Sequence, residues 1–311
     1  MLGIVLLFLL IAALAIILYA YFFAFYAPKR TTDAPLYRMP KGAAYEKYLP
    51  HIETSIHRML DRPCEEVTTT SFDGHQLFGR YYHEKDGAPL QIQFHGYRSS
   101  GYVDFSGGSY LAQKIGHNAL VVDQRSHGRS EGHVISFGIN ERKDCLAWIR
   151  YATKRFGEDT QIILSGLSMG AATVLMAADQ NLPENVVGII ADCPYSAPGD
   201  IIRKVSKDMH FPAALIYPFV KLSARLLAHF HLEESSAIDA VGKSKVPILL
   251  LHGEADDFVP CEMSRKIYAA APSGSKLVTI PDAGHGLCYM VDPGRYEEAT
   301  RDFVDTILKK A

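Results

Sequence analysis

The pentapeptide Gly166-Leu167-Ser168-Met169-Gly170 limits what this chain can fold into more than any other stretch. Ahead of it runs Gln161-Ile162-Ile163-Leu164-Ser165, whose β-branched residues read as a buried strand. Behind it, residues 171–178 read as a helix. A strand that reverses into a helix with serine at the apex forces that serine into a strained backbone conformation, so its neighbours have to be small. Gly166 and Gly170 meet that need. The hydroxyl then projects above the sheet, beside a helix N-terminus whose unpaired N–H groups favour a developing oxyanion. An isolated glycine-flanked serine would mean little. The strand and helix on the correct sides make Ser168 the candidate nucleophile.

Strand and helix signals alternate on either side. Strands are predicted over 66–70, 76–83, 90–94, 119–123, 161–165, 186–192, 245–251 and 276–280. Helices are predicted over 106–116, 139–156, 171–178, 261–271 and 296–309. This pattern implies an α/β fold with a mostly parallel sheet covered on both faces. Asp73-Gly74 between β-rich runs is a hairpin signal and puts antiparallel strands at one edge. Residues 195–242 carry no strand signal. They are helical and apolar, with Phe211, Leu215, Phe219, Leu226 and Phe230, and are expected to form a cap over the site rather than extra core.

The first residues add a second constraint. Leu2 to Ala27 contains no charged side chain and is long enough to span a bilayer. A cleaved signal peptide would need a basic start, a shorter apolar core and a small-x-small site, which are missing. Residues 1–27 therefore read as a transmembrane anchor in contact with membrane lipid. Tyr19, Tyr21 and Tyr26 fall where an interfacial aromatic belt would lie. Residues 28–63 read as a tether with a short helix near 45–60, and 64–311 as the main domain. Lys29, Arg30, Arg38, Lys41 and Lys47 follow the span, which by the positive-inside rule puts that domain in the cytoplasm.

Composition narrows the remaining classes. A net charge of −2 gives no reason to expect nucleic acid as a partner. The five cysteines are scattered and unpaired in pattern, so free thiols are expected. No zincin, phosphate-loop or dinucleotide motif occurs, and neither cofactor nor metal is expected.

A serine hydroxyl needs a base, and the base needs an orienting acid. In an open parallel sheet such groups gather beyond the carboxyl ends of strands. His285, in Ala283-Gly284-His285-Gly286 after the last strand, is the candidate base among thirteen histidines. His95 and His252 close earlier strands in His-Gly pairs and read as turn supports. The acid is expected between serine and histidine in chain order. Asp256, in Glu254-Ala255-Asp256-Asp257, is preferred, with Asp257 and Asp192 as rivals. The backbone N–H groups of Met169 and Tyr97 are the expected oxyanion donors.

With these residues in place the chain resembles the serine α/β-hydrolase superfamily from about Glu66 onward. The resemblance rests on His95-Gly96, Asp123-Gln124-Arg125-Ser126-His127-Gly128-Arg129-Ser130, Gly166 to Gly170, His252 to Pro260 and Gly284-His285-Gly286. It is closest in look to membrane-tethered bacterial esterase-like and serine-peptidase-like members. The second segment resembles the family's D-x-R-G-H-G-x-S loop, with Ser126 where glycine is usual. That implies a structural polar network for Asp123 and Arg125. The resemblance also implies an α/β-hydrolase fold and a Ser168, Asp256, His285 triad. The expected function is membrane-anchored hydrolysis of carboxylic esters, with an acyl or lipid-like substrate. A peptidase or amidase, using Glu233 and Glu234 of the cap to bind an amine, is the enzymatic alternative. A non-catalytic membrane adaptor is the alternative of another class.

Overall fold

The structure, a computed structural model, describes residues 1–28 and 35–309. Lys29 and Arg30, two of the basic residues after the apolar run, lie outside the described residues. In chain order the elements are α1 (Leu2–Ala20), α2 (Ala43–Glu46), α3 (Leu49–Asp61), β1 (Glu65–Thr70), β2 (Gln76–Tyr82), β3 (Leu90–Phe94), α4 (Gly101–Lys114), β4 (Asn118–Asp123), α5 (Glu141–Phe156), β5 (Ile162–Leu167), α6 (Met169–Met176) and β6 (Val186–Asp192). Then come α7 (Pro198–Asp208), α8 (Ala213–Leu226), α9 (Ala237–Val241), β7 (Ile248–Gly253), α10 (Glu262–Ala270), β8 (Lys276–Ile280), α11 (Cys288–Val291) and α12 (Pro293–Leu308).

The sheet has eight strands in the order β1-β2-β4-β3-β5-β6-β7-β8. β1 and β2 pair antiparallel, β2 meets β4 antiparallel, and every pairing from β4 to β8 is parallel. This is the expected α/β-hydrolase sheet with its antiparallel edge. Side chains on a strand alternate between faces, and the core divides accordingly. Leu120 and Val122 of β4 pack with Trp148 of α5 and Val174 of α6. Their neighbours Ala119 and Val121 pack on the other face with Ile56 of α3 and Phe105 of α4. Ile163 of β5 faces Phe303 and Ile307 of α12. Both faces are thereby covered.

Several boundaries differ from the sequence reading. α4 starts five residues early, at Gly101, because Gly107 and Gly108 mask its periodicity. The single helix expected near 45–60 is two, with Pro50 in the first turn of α3, where a missing N–H costs nothing. The segment around it is also more than a tether. α3 packs on α4 through Ile52, Ile56 and Met59.

The polar network implied for the Asp123 loop is present. Arg125 holds Asp144 through Nε and Nη2 at 2.6 and 2.7 Å, and holds Asp73 through Nη1 and Nη2 at 3.0 and 3.1 Å. Asp123 accepts from Arg80 at 3.0 Å and from the Arg129 N–H at 2.9 Å. Ser126 takes the left-handed conformation usual for glycine, at φ 64°, and its hydroxyl donates to the Val134 carbonyl.

The N-terminal helix does not stand apart from this body. After α1 the chain passes through one π-helical turn, Tyr21–Phe25. Phe25 is fully buried and edge-on to both Phe137 and Phe230. Its carbonyl accepts from the Ile135 N–H, and the Ala27 N–H donates to the His133 carbonyl. Higher up, the Ser223 hydroxyl of α8 donates to the Ile17 carbonyl at 2.9 Å. Tyr26, expected in an interfacial belt, forms a β-bridge with Val134 and stacks on His133. A buried phenyl truncated to methyl loses its transfer energy and leaves a cavity. Phe25→Ala is expected to lower unfolding stability by about 3 kcal/mol in chemical denaturation of the full chain in detergent. An unchanged midpoint would mean that this segment does not hold the body together.

Candidate active site

β5 ends at Leu167 and α6 begins at Met169, so the chain reverses within Ser168 alone. Its φ and ψ of 54° and −114° are strained for a residue with a side chain. Surrounding bonds impose them. The Ser168 N–H donates to the Asp192 carbonyl at 2.8 Å, and its own carbonyl accepts from Ala172. The two glycines make the approach possible. A Cβ on Gly170 would overlap the Phe94 carbonyl, and one on Gly166 would overlap the Gly170 carbonyl.

His285 stands on the loop between β8 and α11. Its Nε2 lies 2.8 Å from Ser168 Oγ and its Nδ1 lies 2.7 Å from Asp256 Oδ2. A neutral imidazole satisfies both contacts when Nδ1–H donates to the carboxylate and Nε2 accepts from the hydroxyl. Asp256 is buried beyond the end of β7. Its Oδ1 accepts from the N–H groups of Phe258 and Val259 at 3.0 and 2.7 Å. Burial alone would raise this carboxyl. Hydrogen bonds from His252, His285 and the Val259 N–H outweigh it and hold the group at about 2. The Phe258 ring packs edge-on against His285, 5.0 Å between centroids.

The structure thus brings together Ser168, Asp256 and His285, and leaves the two rival carboxylates apart. Asp257 is exposed, and its carbonyl takes the Lys204 ammonium. Asp192 is buried at the end of β6, pushed up to about 6 by desolvation, and is not hydrogen-bonded to His285. His95 and His252 support turns, as read from their His-Gly pairs. Burial drives His95 down to about 3, so its neutral ring donates from Nδ1 to the Gly96 carbonyl and accepts the Gln124 N–H at Nε2. His252 joins Ser264 at 2.6 Å to the Val259 carbonyl at 2.8 Å.

The two expected oxyanion donors flank the serine. Met169 is the first residue of α6, and Tyr97 follows Gly96, where a Cβ would stand 3.4 Å from Ser168 Cβ. Among the described residues neither N–H has an acceptor. Neighbouring N–H groups do. Gly96 donates to Asp104 Oδ2 at 2.6 Å and Arg98 donates to His127 Nε2 at 2.9 Å. The turn is therefore pinned on both sides of a free Tyr97 N–H.

Two contributors were not read from the sequence. Tyr45, from the segment taken as a tether, donates its hydroxyl to the His285 carbonyl at 2.9 Å. Asp104, raised by its burial, is bonded to Gly96 and to the Ser99 hydroxyl. Tyr45 carries no local signal because its contact is distant in sequence, whereas Asp104 acts on a turn only five to eight residues before it. Cys193 Sγ lies with atoms of Asp256 and His285 in a group within 4.8 Å. Burial pushes its thiol well up, and the imidazole and carboxylate are already bonded to each other, which leaves a poor donor set for zinc.

Two cavities meet at Ser168. One, of about 470 Å³, is walled by Arg38, Lys41, Tyr45, Asp104 and Tyr289 together with His285. The other, of about 520 Å³, is nearly all apolar and runs between the cap and the N-terminal helix. Glu233 and Glu234 border neither cavity. Glu233 pairs with Lys221 and Glu234 with Arg142 and Lys143.

Known proteins share this architecture. YfhR of Salmonella typhi, described only as an uncharacterized protein, is 26% identical over 286 residues, covering 89% of this chain and 91% of that one. YqkD of Bacillus subtilis (strain 168), likewise uncharacterized, is 24% identical over 199 residues, or 64% of this chain and 65% of its own length. The solved structure of the Pyrococcus furiosus esterase Pf2001 superposes with a TM-score of 0.64 at 21% identity, covering 90% of this chain and 99% of that one. Est1E from Butyrivibrio proteoclasticus, solved with ferulic acid bound, gives 0.61 at 22% identity over 78% of this chain and all of that one. The family model for the alpha/beta hydrolase family matches residues 94–299, a span that includes Ser168, Asp256 and His285, and the chain belongs to that family.

Proposed function

We propose that this hydrolase is a membrane-anchored serine esterase that cleaves carboxylic esters through an acyl-enzyme. The observation that carries the reading is the pair of hydrogen bonds joining Ser168 Oγ to His285 Nε2 and His285 Nδ1 to Asp256. In this mechanism Ser168 Oγ attacks the acyl carbon while His285 Nε2 takes its proton. Asp256 holds the imidazole in the required tautomer and stabilises its charged form. The N–H groups of Tyr97 and Met169 receive the oxyanion. The tetrahedral intermediate collapses, and His285 returns the proton to the departing alcohol. Water, activated by the same imidazole, then releases the acid and restores the serine.

The paired cavities support an ester with one wholly apolar half and one half that carries some polar groups. The esterase names of the structural neighbours agree with this reading. The amidase alternative loses its proposed amine pocket, since Glu233 and Glu234 spend their charge on neighbouring cations. Retention of the N-terminal helix is supported by its docking. Cleavage near Ala27 would remove Phe25 from the core and leave the Ile135 N–H without its acceptor and the His133 carbonyl without its donor. Arg38, Lys41 and Lys47 follow the span and favour a cytoplasmic domain.

Ser168→Ala is expected to reduce turnover of p-nitrophenyl esters by about three to four orders of magnitude, with fluorophosphonate labelling lost as well. Ester turnover unaffected by that change would remove the triad mechanism, and faster Ser168-dependent cleavage of aminoacyl anilides would favour the amidase.

The depressed Asp256 carboxyl fixes the sign of a pH effect. A carboxyl held below its unfolded value contributes stability that is complete above about pH 4 and is lost as pH falls through about 2. Asp256→Asn is therefore expected to cost about 2 kcal/mol near neutrality, with the difference from the native chain vanishing in acid. Denaturation curves measured across that range would show a constant gap if Asp256 were not ionised in the fold.

Sidedness has a direct test in Cys64, an exposed free thiol. A membrane-impermeant maleimide is expected to label it only after permeabilisation. Labelling in intact cells would put the domain outside.

A further inference from the structure

The apolar cavity at Ser168 has a wall that the hydrolase body does not supply. One side is formed by Tyr195 and by Ile202, Val205 and Val220 of the cap. The opposite side is the N-terminal helix itself, through Ile16, Ala20 and Ala24. Small residues at 20 and 24 leave room for the cavity. Its size falls within the range of enclosed small-molecule sites. The helix is held in this position at three levels. Ser223 of α8 donates to the Ile17 carbonyl, Tyr97 donates to the carbonyls of Phe23 and Ala24, and Phe25 is sunk into the core.

Helix length then locates the cavity with respect to a bilayer. The apolar helix runs from Leu2 to Phe25. The part free of the cavity wall, Leu2 to Leu14, is about 20 Å long, against a hydrocarbon core of about 30 Å. The helix can complete the span only if the turns that line the cavity are also submerged. The cap beside them is suited to this. Leu215, Leu222 and Leu226 are large apolar side chains facing outward on α8. On a water-exposed cap they would form an apolar surface with no partner. Alongside a spanning helix they face acyl chains.

We propose that the N-terminal helix is a wall of the acyl-chain site, and that the substrate is a membrane-resident ester whose long acyl chain reaches Ser168 laterally from the bilayer, through the seam between α1 and α8. This inference rests on the ester reading for its chemistry and on the spanning reading of the helix. It adds a role for residues 15–24: they shape the site as well as hold the protein in place. The chain lies along Ala20 and Ala24 with its carboxyl carbon at Ser168, and the polar alcohol half occupies the cavity bordered by Arg38 and Lys41.

The test uses the full chain carrying Ser168→Ala, so that the ligand is retained, in phosphatidylcholine vesicles. The probe is a monoacylglycerol whose palmitoyl chain ends in a diazirine. Photolysis is expected to label Tyr195 and Ile202, which are buried and out of reach of bulk lipid. Adding Ala20→Phe, which fills the cavity, is expected to reduce that labelling about tenfold. Adding Leu7→Phe, on the part of the helix away from the cavity, is expected to leave it unchanged. Raising phospholipid about tenfold at constant bulk probe is expected to reduce labelling in proportion, because surface dilution acts only on a ligand drawn from the bilayer. Labelling confined to residues 2–14 and the outward face of the cap would overturn the cavity assignment, and this mapping holds even if Ala20→Phe does not fold. Labelling insensitive to phospholipid would overturn bilayer access. None of these readouts requires cleavage. A chain that labels as expected but hydrolyses no ester would sink the ester reading and leave the acyl site standing.

Discussion

The close approach of α6 to β3 and β5 is the constraint on which the site depends. At Gly166 and Gly170 the backbones lie where no Cβ fits. That proximity puts the first turn of α6 directly under the end of the sheet. It leaves a single residue to reverse the chain, so Ser168 takes a conformation it would not adopt alone. The strain is over-determined by bonds to Asp192 and Ala172. A backbone held this way fixes where the Ser168 side chain leaves the chain, with its Oγ beside His285.

The surroundings of the serine are pinned by groups that never meet a substrate. Neutral, buried His95 and His127 close the turn that carries Tyr97, and His252 braces the loop that carries Asp256. Arg125 ties Asp73 to Asp144 behind that layer. Removing one partner from such a buried ionic cluster costs about 3–5 kcal/mol, since it strands the remaining charge.

Much of this was legible in the sequence, for a physical reason. A parallel sheet places its reactive groups at strand ends, so Ser168, Asp256 and His285 could be found by their position after β5, β7 and β8. The alternation of strand and helix fixed the layers, and Asp73-Gly74 the antiparallel edge. What escaped was tertiary. Tyr45 meets His285 across 240 residues, and no periodicity encodes that contact. The helix from Leu2 read as an anchor because apolar length is a local property. Its packing on α8 is a property of two surfaces, and a stretch that is apolar all round gives no hint of which side will be covered. Tyr26 was read as a belt residue for the same reason, and its bridge to Val134 depends on a loop more than a hundred residues on.

The bond from Ser223 to Ile17 joins residues 206 positions apart, and those from Tyr97 to Phe23 and Ala24 join residues more than seventy apart. This has a consequence for assembly. Residues 17–24 precede these partners in the chain, and the last of them arrives only with α8. While most of the chain is still being made, the carbonyls of Ile17, Phe23 and Ala24 wait for donors, and the loop that carries Tyr97 waits for its brace. Contacts of such long range close late in folding. The apolar cavity is thus closed only after α8 has formed, so seating of the N-terminal helix and completion of the cavity become one late step of folding.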